Sequence, residues 1–249
     1  MATDAMRQQV VRLERPKDPA WDRIFFTAMV FLLWATVLFG FAKTYFLAGM
    51  VSAPLPNTLI HVHGAVFTLW MVLLAVQVGL ISAKKVKRHK QLGLAGFGLA
   101  VAMVVLGVLA GTDALRRGMD GASGLGAKTF YVIPLTGILA FGVLVYFAYR
   151  ARFKPAVHKR LILIATVGIS EAAIARWPVG VLQVHPMVRL LIILSFLLMV
   201  VGYDLVSLKR VHKTTLWASA FVMTVMLVRV PFAMTPLWQR FATLMGGKG

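Results

Sequence analysis

Apolar residues fall in seven blocks along the chain, and the breaks between them are short and polar. Each block is about as long as the 20 or so helical residues that cross a bilayer core. They predict helices at 24–47, 58–82, 92–112, 129–149, 160–179, 187–207 and 215–235. Polar positions do not alternate with apolar ones inside them, which argues against barrel strands. The pattern predicts an all-α integral membrane bundle of seven transmembrane helices. Its loops should be short and superficial, because hydrocarbon cannot satisfy loose backbone groups. The expected organisation is a polar tail over 1–23, one transmembrane domain over 24–240 and a short tail over 241–249. Residues 1–23 carry no cleavable-signal pattern, and the first apolar block is too long for a signal core, so it is expected to remain as a helix.

Composition agrees. Of the 249 residues 59% are hydrophobic and 14% charged. The net charge of +19 would suggest nucleic acid in a soluble protein. Here its placement gives another meaning. Eighteen of the 27 Lys and Arg stand in the N-terminal tail and the turns "KKVKRHK", "RARFKPAVHKR" and "KRVHK", all on one predicted side. The positive-inside rule puts that side, with the N-terminus, in the cytoplasm and the C-terminus outside. The expected location is the bacterial cytoplasmic (inner) membrane, multi-pass, with no nucleic-acid partner. Cysteine is absent, which excludes disulfides, thiolate metal sites and iron–sulfur clusters.

The third, fifth and seventh helices each open after a basic turn with a His-Lys pair: "KRHKQLGLAG", "AVHKRLILIA" and "RVHKTTLWAS". Three readings stand side by side. The pairs are topological charge with an interfacial histidine. Or they bind the phosphate of anionic lipid head groups, where helix N–H groups and Lys favour an anion. Or His89, His158 and His212 converge on a transition metal.

A second histidine cluster opens the second helix in "NTLIHVHGAVFTLW". Asn57, after Pro54 and Pro56, is the expected N-cap. His61 and His63 are two apart, hence about 200° apart around a helix, and cannot grip one ion from one face. His61 shares a stripe of mostly small residues with Gly64, Ala65 and Thr68, and is expected to point into the bundle. His63 shares a stripe with Phe67, Trp70, Leu74 and Gln77. His61 is a neutral imidazole hydrogen-bonded to a neighbouring helix, a ligand to haem or metal, or a proton relay or substrate contact; a haem or metal would be held by His61 or His63 with His185.

Charges within spans are costly and invite pairing. Glu171 in the fifth helix and Arg229 in the seventh have opposite signs and matching depths, which predicts an interaction. Arg176, about 140° round the helix from Glu171, is expected to snorkel outward beside Trp177. Asp204 is expected to pair with Lys209. "GVLAG" at 107–111 predicts a close helix contact. Together His61, His63, Glu171, Arg176, Trp177, His185 and Arg229 form a candidate polar pocket in the outer half. No nucleophile–base set, phosphate loop or HExxH string is present.

The run "HVHGAVFTLWMVLLAVQ…KRHKQLGLAG…VHKRLILIAT…ARWP…YDL…VHKTTLW" resembles a family of small bacterial multi-helix membrane proteins of uncharacterised function. Over the second to fifth helices it more faintly resembles domain-of-unknown-function families associated with cytochrome oxidase assembly. That resemblance implies a respiratory-membrane role with haem b or a metal, or an assembly factor beside a respiratory complex. The alternative from the residues is a small-solute or proton-coupled transporter or binding protein with an outward-facing polar pocket.

Overall fold

The computed structural model describes residues 19–121, 124–180 and 185–246. They are all-helical, with no strand among them. The helices are α1 (Pro19–Phe41), followed by a π-turn (Ala42–Phe46), α2 (Thr58–Ser82), α3 (Val86–Arg116), α4 (Ala127–Phe130), α5 (Val132–Arg150), α6 (Pro155–Ile169), α7 (Glu171–Ile174), α8 (Pro186–Leu208), α9 (Lys213–Ala233) and α10 (Pro236–Gly246).

Among the described residues six segments are long and apolar enough to cross a membrane: Ala20–Phe46, α2, α3, Ala127–Arg150, α8 and α9. The fifth predicted block, 160–179, is not among them. The helix there starts at Pro155, stops at Ile169 and resumes for one turn at Glu171. At about 1.5 Å per residue, α6 alone is some 22 Å long. The reason is its surroundings. Seven of its 15 residues, Arg160, Leu161 and Leu163–Val167, are buried. It packs on α5, α9, α1 and α8. A helix enclosed by others needs no long apolar face toward lipid.

The outer helices behave oppositely. Phe31, Leu109, Leu191 and Val228 all point outward and exposed, the side-chain distribution of helices whose outer solvent is hydrocarbon rather than water. The core between them runs through Leu33, Trp70, Met103, Phe141, Ile164, Leu197 and Ala218. The GxxxG expectation holds: a Cβ on Gly107 would stand 2.6 Å from the Ile138 side chain of α5.

The expected C-terminal tail is partly a helix instead. In α10, Trp238 and Ala242 pack on Leu115, Tyr131 and Leu135, and Trp238 Nε1 donates to the Lys128 carbonyl at 2.8 Å. Leu237 and Leu244 of the same helix are exposed.

Candidate functional site

An interrupted helix and a proline-containing one meet at a buried ion pair. Glu171 lies 16 residues after the start of α6, and Arg229 16 residues after the start of α9. Both helices rise from basic turns at one end of the bundle, so both side chains stand at about 24 Å of rise from it. Arg229 Nη2 donates to Glu171 Oε1. Glu171 is 9% exposed and Arg229 7%.

The helix ladder is broken beside Glu171 and lacks one donor beside Arg229. Ser170 separates α6 from α7; its hydroxyl donates to the Val167 carbonyl at 2.7 Å. On the other side, Pro231 lies inside α9 and has no N–H for the carbonyl one turn back. The Glu171 turn is pressed against α1 at Gly40, where a Cβ would sit 2.2 Å from the Ala173 carbonyl oxygen. Only glycine permits that approach. A third charge, Arg189 in the first turn of α8, is 7% exposed and lies within electrostatic reach of both partners. Arg229 Nε is buried without a hydrogen-bond partner.

Other predicted pocket residues frame this pair. Arg176 is exposed, donates to the Ala172 carbonyl at 2.6 Å and lies over the Phe41 ring at 4.8 Å. Trp177 Nε1 donates to the Thr36 carbonyl at 3.2 Å. Both tie the segment after α7 to the end of α1.

The histidines of "HVHG" are arranged opposite to expectation. Asn57 does cap α2, accepting from Ile60 N at 3.0 Å. His61, however, is exposed, and the core-facing stripe is that of His63, Phe67, Trp70 and Leu74. Burying Trp70 and Leu74 removes more apolar area from water or lipid contact than closing on small residues would. Trp70 also donates to Thr166 Oγ1 of α6 at 3.2 Å. Tyr45 covers Gly64 and donates to the His61 carbonyl at 3.3 Å. His63 is half-buried, with its ring 4.2 Å from that of Phe67 and its Nδ1 buried without a partner. His185 stands at the N-cap position of α8 without a side-chain capping bond and is exposed.

At the basic end, a network forms that the sequence pattern did not reveal. Arg160, 1% exposed, donates from Nε at 3.1 Å and from Nη2 to Asp204 Oδ1. Asp204 Oδ2 accepts from His212 N at 3.0 Å and Thr215 Oγ1 at 2.5 Å. This replaces the expected Asp204–Lys209 pair, because Lys209 ends α8 in the left-handed conformation, φ 58°. Lys159 Nζ and Tyr203 Oη both donate to Asp22 Oδ1, and Phe25 stacks on Tyr203 at 4.2 Å. One cue was available: acids are scarce, and both described ones at this end are consumed by cations of α6.

The three-histidine metal site is not assembled. The His89 and His158 rings are neighbours, with centroids 6.5 Å apart, and His158 Nδ1 lies 3.0 Å from the Ala148 carbonyl. His212 instead caps α9, its Nδ1 accepting from Thr214 N at 3.1 Å. Among the described residues no three His, Cys, Asp or Glu side chains gather in a metal-binding group. Comparison with protein-family models, curated proteins and solved structures finds no match to this chain.

Proposed function

We propose that the chain is a seven-span protein of the bacterial inner membrane that binds a small charged solute at the Glu171–Arg229 pair. The fifth span in this reading is α6 with α7, about 30 Å over residues 155–174. The basic turns face the cytoplasm, contact anionic head groups there, and set the N-terminus inside. The solute site then lies in the outer half.

One observation carries the reading: a buried ion pair lies between two spans, one interrupted at its depth by Ser170 and the other carrying a proline two residues past Arg229. Discontinuous membrane helices are where solute sites are built, because they release backbone and side-chain polar groups from the helix ladder. A pair serving only as a packing staple needs no such break. The test is thermal unfolding of the detergent-purified chain, at mildly acidic pH, against a panel of small anions, amino acids and sugars. A solute that binds the folded state raises the midpoint. Arg229→Lys keeps the charge but loses the planar fork, and should abolish that shift. A panel with no shift overturns the reading.

A redox role, with haem or a metal in a respiratory membrane or beside a respiratory complex, is the second reading. His63 favours it, as a half-buried imidazole whose Nδ1 has no partner. The bis-histidine pairing expected from sequence fits poorly, since His61 and His185 are both exposed. A dithionite-reduced minus oxidised spectrum decides it. Sharp α and Soret bands that disappear in His63→Ala support haem; a flat spectrum, with no metal in the purified protein, ends this reading.

A further inference from the structure

We infer that the Glu171–Arg229 site takes up one small carboxylate together with one proton, the proton going to Glu171; this rests on the solute-binding reading above. The edge of a guanidinium formed by Nε and Nη2 offers two parallel N–H groups that match the two oxygens of a planar carboxylate. Glu171 engages only Nη2, and through one oxygen, Oε1. Nε on the same edge is buried without a partner, in a side chain 7% exposed. Half of a carboxylate-binding edge is therefore in use.

Charge points the same way. Among the described residues the cluster holds two guanidiniums, Arg229 and Arg189, and one carboxylate. Two guanidiniums close together in a medium of low dielectric favour an anion over a cation as the solute.

An entering carboxylate that takes both Nε and Nη2 displaces Glu171. Left ionised inside the bundle, Glu171 would be a buried charge without its partner, which is strongly unfavourable. Protonation removes that cost. One proton from water binds a carboxylate oxygen of Glu171, while the two oxygens of the solute accept from Nε and Nη2 of Arg229. One positive and one negative charge enter together, so the charge of the site is unchanged. The only bond made is the O–H of Glu171.

Among the described residues the charged groups facing Glu171 are cations. Arg229 comes from α9 and Arg189 from α8. Past α7, Arg176 is held over Phe41, within electrostatic reach of His63. The adjoining surfaces of α1 and α6 present Gly40, Thr166 and Ser170, none of which titrates in this range. No second described carboxylate shares the site, so Glu171 is its proton acceptor.

The test is isothermal titration of the detergent-purified full chain with sodium acetate, and with sodium chloride as the control anion, at about pH 5.5 and about pH 7.5. Acetate should bind more tightly at the lower pH, approaching tenfold per pH unit, the slope of one coupled proton. Titrations in two buffers of different ionisation heat should give one proton taken up per acetate. Glu171→Gln keeps the length and an acceptor for Arg229, and should bind acetate equally at both values. Arg189→Gln should weaken acetate about tenfold and keep the slope.

Binding without proton uptake overturns the coupling, as does a Glu171→Gln protein that retains the slope. Chloride binding as tightly as acetate overturns the carboxylate assignment. If other solutes shift the unfolding midpoint but acetate does not bind, this inference alone fails. If neither acetate nor any panel solute binds, the solute-binding reading fails with it. Should Glu171→Gln not purify as a monodisperse protein, the proton count on the unaltered chain still decides.

Discussion

Arg160 of α6 and Asp204 of α8 form a buried ion pair in which both oxygens of the carboxylate are occupied: Oδ1 by the guanidinium, Oδ2 by the His212 amide and the Thr215 hydroxyl. The pair thus joins α6, α8 and the start of α9 at the basic end. It is 1% and 0% exposed. Such a network is sustained by its own hydrogen bonds: both Asp204 oxygens, and Nε, Nη1 and Nη2 of Arg160, have protein partners in place of solvent.

Removing one partner should therefore be severe. Asp204→Ala strands Arg160, the Thr215 hydroxyl and the His212 amide, at a cost of about 3–5 kcal/mol. The check is reversible unfolding in mixed micelles, where Asp204→Ala and Arg160→Ala should each lower stability by that amount. The double variant should lose much less than their sum, since the two changes remove one shared interaction. Fully additive losses would show that the pair is not coupled.

The Glu171–Arg229 pair should behave differently as a pair than as single residues. Arg229→Met leaves a buried glutamate unpaired and should cost about 3–5 kcal/mol. Glu171→Met with Arg229→Met replaces two charges by apolar groups, and should recover most of that loss while abolishing any solute shift. Unfolding and solute titration of the same three proteins separate a staple from a site. A staple loses stability alone, whereas a site also loses binding where stability is kept.

Gly40 should be intolerant of any side chain. A Cβ there would lie 2.2 Å from the Ala173 carbonyl oxygen, which is backbone and cannot rotate away. Gly40→Ala should cost about 1–3 kcal/mol by pushing α7 off α1. Because Glu171 is carried on that turn, the solute-induced shift should shrink as well. Gly79, with nothing near its missing Cβ, is the control, and Gly79→Ala should leave both readouts in place.

The absence of cysteine makes the topology directly measurable. Phe153 and Val179 are exposed residues on either side of α6 and α7. In intact cells a membrane-impermeant maleimide should label Val179→Cys, and should label Phe153→Cys only after the cells are opened. Labelling of both from one side would mean that α6 and α7 do not cross, giving six spans. Labelling in the reverse order would invert the orientation.

Much of the site was legible because a membrane simplifies the problem. Glu171 and Arg229 could be paired from their signs and from helices rising from the same side to the same depth. Asn57 could be read as a cap because Pro54 and Pro56 precede it. Asp204 misled, since the nearest cation in sequence, Lys209, is carried away by the left-handed end of α8, while Arg160 arrives from 44 residues earlier. His61 misled for another reason. Small residues permit close approach but do not compel it, and the bulkier stripe with Trp70 took the core.

By itself, then, the chain's pattern of apolar blocks and basic turns determined that it is helical, where the helices run and which charges must find partners. Those are one-dimensional consequences of hydrophobic length and of the cost of burying charge. The tertiary structure alone decided that the fifth block is short, enclosed and broken at Ser170, that α10 folds back beside α4, and which face of α2 is buried. Each depends on what surrounds a segment, and neighbours far along the chain are brought there only by packing.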